Sequence, residues 1–284
     1  MKNITSHVMG IRLQNYKLMG LPYSGVANTT LNELFNIQSG VPTDTGIYPN
    51  MALLAIGNGG HVMGVTSDGL SYPQLVNHSP RDCALINHLP FQLVLASNDL
   101  SAADRANYAM RVPTTINGQN YIAYYLRVID LSAVTVQLLD NTVVNGDVSS
   151  VPWVPTSSNL HPTPTIPSDT GSVQTSSDYV SAEAILNVAF GDSDIEALMN
   201  VANILYGTTD LAIISEAALC AAQMKVVSAQ ASGGGTLSYT EAIGTILCSS
   251  MSCYYHLPSL NQELTLSFDV GGAESLYGVD DGST

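Results

Sequence analysis

Three histidines, an aspartate and a cysteine fall in one short stretch, as His61, His78, His88, Asp82 and Cys83. These residue types bind zinc or move protons, so spacing decides what they can do. The chain contains no HxxxH, HExxH, CxxC or HxH pair, and a metal site normally shows at least one of them. Pro80 fixes the backbone of His78-Ser79-Pro80-Arg81-Asp82, which reads as a turn with Asp82 capping the apolar run Cys83 to Ile86. The cluster Gly57-Asn58-Gly59-Gly60, extended by Gly64, could cradle a phosphate. A dinucleotide fingerprint, however, needs GxGxxG opening a helix, and a P-loop needs a following GK[ST]. Here the next segment reads as a strand and has no Lys, so a hairpin turn is expected. There is no GxSxG nucleophile elbow, and Ser67-Asp68-Gly69 and Ser97-Asn98-Asp99 read as turns. Any two of the 23 acids could meet in space to hydrolyse a sugar, but Trp is single and Phe numbers four, few for sugar platforms. No catalytic, cofactor-binding or metal-binding residue is assigned, no cofactor is expected, and the chain is read as not an enzyme.

The elements that would position these residues follow from pattern. Met51 to Ile56 and His61 to Thr66 flank the glycine cluster as strand, tight turn, strand. Arg111 to Thr115 and Asn120 to Ile129 flank an Asn117-Gly118 turn, the strongest short hairpin signal in the chain. On the second run Ile122, Tyr124, Leu126 and Val128 form the better core face. Capping boxes open a short helix at Thr30-Leu31-Asn32-Glu33 towards Ile37, ending before Gly40, another at Ser101-Ala102-Ala103-Asp104 through Tyr108, and a third at Ser193-Asp194-Ile195-Glu196. The last carries Ile195, Leu198, Met199, Ala202 and Leu205 on one stripe and closes at Gly207. Within the apolar and small residues from Leu211 to Ser228 a further helix is expected around Glu216 to Lys225, before Ser232-Gly233-Gly234-Gly235, while Tyr239 to Tyr255 fits buried helix or strand. Glu263 to Val270 alternates Leu264, Leu266 and Phe268 inward as a half-buried strand.

Between about Gly146 and Ser177 the composition shifts to Pro152, Pro155, Pro162, Pro164 and Pro167 among Ser, Thr and Asp. Proline removes donors and fixes φ, so this stretch is expected to run as an extended arm. Trp153, with Pro155, Pro162 and Pro164, is the candidate interface set, Trp153 anchoring in a neighbour's pocket. An equal reading has Trp153 pinning the arm to its own domain. The expected organisation is a β-rich mixed domain over 1–147, the arm over 148–178 and an α+β segment over 179–284. The fold class expected is α+β: a β-hairpin-rich N-terminal part and a more helical C-terminal part.

Composition narrows the function. Hydrophobic residues make up 45% and charged residues 11%, against roughly 25% charged in ordinary soluble domains. Eight Lys plus Arg face 23 Asp plus Glu, a formal charge of -15. Nucleic acid and anionic membrane surfaces are excluded as partners, because both demand basic residues. The first seven residues lack the apolar stretch of a signal peptide, and no segment approaches the ~20 apolar residues of a membrane span. Neither secretion by that route nor membrane insertion is expected. Cys83, Cys220, Cys248 and Cys253 have no CxxC spacing and read as buried thiols. The 14 tyrosines suit interfaces and sheet packing alike.

Several blocks resemble a family of virion proteins from tailed bacteriophages. They are Ala52-Leu53-Leu54-Ala55-Ile56-Gly57-Asn58-Gly59-Gly60-His61, His88-Leu89-Pro90-Phe91, Asp99-Leu100-Ser101-Ala102-Ala103-Asp104-Arg105 and Tyr121-Ile122-Ala123-Tyr124-Tyr125-Leu126. Asn200-Val201-Ala202-Asn203-Ile204-Leu205-Tyr206-Gly207 and Tyr239-Thr240-Glu241-Ala242-Ile243-Gly244 are similar too, so the likeness spans most of the chain. The resemblance implies a structural component of the particle, in the tail, baseplate or neck rather than the main shell, and transfers no catalytic residue. Copies of the chain and other virion proteins are then the expected partners, a small-molecule ligand is not expected, and the location is the virion, assembled in the host cytoplasm. The alternatives are a capsid-associated or receptor- or glycan-binding module, which would show an exposed aromatic patch, and a virion-associated hydrolase, which would show a pocket near His61, His78 and His88.

Overall fold

The computed structural model describes residues 3–162, 174–230, 234–259 and 263–278. In chain order the elements are β1 (Asn3–Ser6), α1 (Val8–Met19), α2 (Leu31–Leu34), β2 (Asn50–Gly57), β3 (His61–Val65), β4 (Ser71–Leu75), β5 (His88–Leu89) and β6 (Gln92–Leu95). There follow α3 (Ala102–Arg105), β7 (Tyr108–Ile116), β8 (Gln119–Val128), β9 (Gln137–Val144), β10 (Asp147–Pro152), β11 (Gln174–Phe190), α4 (Asp192–Tyr206), β12 (Ile213–Gln230), β13 (Thr236–His256) and β14 (Leu264–Gly278). Strands dominate, in three sheets. The expected α+β class is therefore corrected to a mostly β fold whose C-terminal part is strand, not helix. No described helix is long and apolar enough to cross a membrane.

The chain forms two compact units, each built from two pieces. The first comprises Met1–Asp130 and Phe190–Leu264, the second Leu131–Ala189 and Thr265–Thr284. In the first unit the main sheet runs β1-β13-β12-β2-β8-β6, with β5 beside β2 and β7 beside β8, and β3 and β4 form a separate ribbon. In the second unit the order is β10-β9-β11-β14, antiparallel where β9 meets β10 and β11.

The helix expected around Glu216 to Lys225 is part of the central strand β12. It pairs with β13 on one side and β2 on the other, and its residues are buried without a break from Ile213 to Gln223. Ala218, Cys220 and Ala222 pack with Leu31, Leu53 and Leu126, while Ala221 faces Met9, Leu13 and Ile246. A strand covered on both faces loses the alternation that would announce it, and its alanines imitate a helix. They are small because elements approach closely here: a Cβ on Gly10 of α1 would sit 2.8 Å from the Cys248 backbone. Removing this apolar surface from water is the main favourable term in forming the unit.

The Asn117-Gly118 hairpin forms as expected, with Thr115 opposite Asn120 and Ile116 opposite Gln119, and both turn residues at positive φ. Of its expected core face Ile122, Tyr124 and Leu126 are buried, whereas Val128 is exposed. Thr30 and Ser101 cap α2 and α3 through the amides of Glu33 and Asp104, but each helix ends after one turn, at Leu34 and Arg105, short of Ile37 and Tyr108, and Tyr108 already opens β7. The third box is displaced. Gly191 precedes α4 and its amide donates to Asp194, and the buried stripe is Ile195, Leu198, Val201 and Ala202. Leu264, Leu266 and Phe268 are buried on alternate positions, as expected. The hairpin expected between Met51 to Ile56 and His61 to Thr66 is absent. β2 pairs with β12, β8 and β5, whereas β3 pairs with β4.

Candidate functional site

β3 and β4 pair with His61 opposite Leu75 and Val65 opposite Ser71, closing through Thr66 to Leu70 with Gly69 at φ 80°. Ser67-Asp68-Gly69 thus serves as the turn read from sequence. Val62, Met63, Val65, Leu70 and Tyr72 are 43% to 68% exposed. Side chains alternate across a strand, so these residues put apolar surface on both faces of the ribbon. The Tyr72 ring lies over Gly64, where a Cβ would come within 2.8 Å of it; an aromatic ring opposite a strand glycine restores the packing the glycine lacks. The amides of Thr66 and Val76 donate to the carbonyls of Leu70 and Gly60. By alternation the amides of Met63 and Val65 point away from β4, so the outer edge of β3 offers donors and acceptors for pairing. Pro73 occupies the corresponding outward position on β4, where a missing N–H costs no ladder bond and blocks that edge.

The ribbon's base is fastened by a buried carboxylate. Glu216, on β12, is fully buried. Its Oε1 accepts from the amides of Gly59 at 2.7 Å and Asn87 at 2.9 Å, and its Oε2 from Ile86 at 2.9 Å. The Gly60 amide donates to Ser215 Oγ at 3.0 Å, and Ser252 Oγ donates to the Val76 carbonyl. The glycine cluster is therefore a carboxylate-binding loop and not a hairpin turn. It has no room for side chains: a Cβ on Gly57 would lie 2.4 Å from the Asn87 carbonyl oxygen, and one on Gly60 2.0 Å from that of Ser215.

His78 Nε2 lies 3.0 Å from Glu216 Oε2, off the direction of a hydrogen bond, so the contact acts as a charge pair. His78 Nδ1 is 3.5 Å from Asp82 Oδ2, which also accepts from the Ser79 amide. Glu216 raises the pKa of His78 against the opposing effect of burial. Burial alone would raise that of Glu216, but His78 and the loop amides outweigh it and the pKa is lowered. His88 accepts from the Leu85 amide through Nε2 at 3.0 Å, and burial pushes its pKa down to about 4. His7 meets Ser250 Oγ at 2.8 Å and packs edge-on against His78; burial lowers the pKa of both His7 and His61. A His–Glu pair is a familiar proton relay, but with His78 6% exposed and Glu216 fully enclosed this one has no face for a substrate. It clamps the loops at 57–60 and 78–88 onto β12.

A model for a family of unknown function, DUF7208, matches residues 1–283. The chain belongs to that family. No curated protein and no solved structure matches it.

In this DUF7208 chain the structure gathers His61, His78 and His88 around Glu216, while Cys83 packs elsewhere, near Met9 and Tyr23. No described group of three or more His, Cys, Asp or Glu residues could hold a metal ion. All four cysteines are free thiols, with Cys220 and Cys253 buried and Cys83 and Cys248 partly so. Sequence reasoning missed Glu216, Ser215, His7 and Ser250. For Glu216 a signal existed, since a lone acid in the apolar run Ile213 to Ala222 needs buried partners if that run is a core strand. Among the interface candidates, Trp153 directly follows the edge strand β10, donates its amide to the Leu138 carbonyl at 2.8 Å and is 37% exposed. Pro155 and Pro162 are exposed and flank a short 3-10 turn, Ser157–Leu160. Pro164 lies outside the described residues.

A second buried polar group joins β7, β8 and β13. Arg111 Nε and Nη2 donate to Asp99 Oδ2 at 3.1 and 2.8 Å, and the Tyr124 hydroxyl donates to Asp99 Oδ1. Glu241 accepts the Arg111 amide at 2.9 Å and is fully buried, which pushes its pKa up to about 7.

Proposed function

We propose that the chain is a structural subunit of a tailed-bacteriophage virion, in the tail, baseplate or neck, acting by assembly with its own copies and other virion proteins rather than by catalysis. The β3–β4 ribbon carries the reading. A lone two-stranded ribbon is marginal in water, and this one exposes apolar side chains on both faces. From His61 to Leu75 it holds one formal charge, Asp68, in a chain of net charge -15. Interface cores are depleted in charged residues in just this way. Its base is clamped by buried polar contacts, so little ordering entropy remains to oppose docking. The all-exposed edge strand β10, with Val148 and Val151, is a further surface for strand addition. The phage setting rests on the blocks resembling virion proteins.

Light scattering on the intact chain and on a Met63→Lys, Val65→Lys double variant tests the assembly, and mass spectrometry of purified particles tests the setting. An oligomer that falls to folded monomers in the variant, together with the chain's presence in particles, is expected. A monomeric intact chain that is also missing from particles overturns the reading.

A further inference from the structure

Arg105 closes α3 and is 7% exposed, yet its guanidinium has no hydrogen bond or ion pair among the described residues. The acids nearest in sequence or on the neighbouring strands are otherwise engaged. Asp99 holds Arg111 and Tyr124, Asp104 holds Ser101, Asp194 holds Arg127, and Glu241 takes the Arg111 amide. The Arg105 guanidinium nitrogens are not among the fully covered polar atoms without a partner, so the charge keeps some contact with water while lacking a protein counter-charge, which a mostly buried arginine normally has. Arg105 is instead part of the wall of a cavity of about 340 Å³, formed within the first unit together with Tyr108, Val128, Met224, Tyr239 and Thr240.

We infer that this cavity binds the carboxylate of an organic acid with a short apolar body, the carboxylate on Arg105 and the body against Val128, Met224 and the two tyrosine rings. A guanidinium presents a planar fork that fits two carboxylate oxygens. The apolar wall favours an organic anion over strongly hydrated phosphate, and the volume sits at the low end of the roughly 300–1,000 Å³ usual for ligand pockets. Such a ligand supplies the missing counter-charge. The inference is independent of the assembly reading, and it revises the sequence-based expectation that no small ligand binds. The same chemistry is offered by a free acid and by the C-terminal carboxylate of a polypeptide.

Titration calorimetry on the full chain separates them, with N-acetyl-leucine, the peptide acetyl-Ala-Ala-Leu with a free carboxylate, the amide of each, and inorganic phosphate. The acids are expected to bind and the amides to bind at least tenfold more weakly. Arg105→Met is expected to abolish binding. Met224→Glu, at a site 45% exposed, is expected to weaken it at least tenfold and decides the matter if Arg105→Met does not fold. Tenfold tighter binding of the peptide identifies a polypeptide terminus, and equal binding a free acid. No heat with either acid at millimolar concentration, amides that bind equally well, preference for phosphate, or an unaffected Met224→Glu variant overturns the assignment.

Discussion

Glu216 shows how much one side chain can organise. It is an ionised group in a fully covered strand, tolerable only because three amides and His78 surround its oxygens. Removing one member of such a buried pair strands the other. Glu216→Ala is therefore expected to lower stability by roughly 3–5 kcal/mol in urea unfolding. The histidines and Glu241 together set the pH response. Those of His7, His61 and His88 have lowered pKa values in the fold, so below the unfolded value near 6.5 the unfolded chain takes up protons the fold refuses, and stability falls with pH. His78, with its raised pKa, works the other way: its contribution is complete below about 6.5 and is lost as pH rises through its folded value. Glu241, its pKa raised to about 7, also opposes the three lowered histidines: between about 7 and its ordinary value of 4.5 the fold holds a proton that the unfolded carboxylate has released, so its contribution grows as pH falls. The change in urea midpoint between pH 6.5 and 4 is expected to favour the acid end more in His88→Gln, which keeps an acceptor for the Leu85 amide but cannot titrate there, than in the parent. An unchanged slope in the variant would remove His88 from the account.

At the scale of elements, local chemistry was legible and partnership was not. The Asn117-Gly118 hairpin and the Thr30 and Ser101 caps depend on residues a few positions apart, and each formed where the pattern placed it. Gly57 to Gly60 looked equally local, but the residue that explains it is Glu216, far along the chain. Likewise the alanines of β12 carry a helical preference that pairing on both edges and burial on both faces override. The histidine stretch was visible as a cluster; its convergence on one acid was not, because no short spacing encodes a contact with β12. The glycine loop yields a direct test. Gly60→Ala would force a Cβ against the Ser215 carbonyl, and such overpacking typically costs about 1–3 kcal/mol. The loss is expected in the thermal midpoint, accompanied by faster hydrogen exchange in β3 and β4. A Gly60→Ala variant as stable as the parent would show that the loop closes on β12 less tightly than these distances require.

Across the whole molecule, charge and apolar surface pull in opposite directions. Each copy carries 15 more acids than bases, so copies approaching one another repel over the range of the screening length, about 10 Å at 0.1 M salt and 30 Å at 0.01 M. The ribbon is nearly free of that charge and offers apolar contact whose strength does not rest on ion pairs. If assembly proceeds through it, salt removes the repulsion and leaves the attraction. Raising sodium chloride from 20 to 300 mM is therefore expected to increase the oligomeric fraction seen by light scattering, while the Met63→Lys, Val65→Lys variant stays monomeric throughout. Contacts built on complementary charge respond with the opposite sign, weakening as salt rises. An oligomer that dissociates with added salt would thus move the interface away from the ribbon and onto the eight basic residues of the chain.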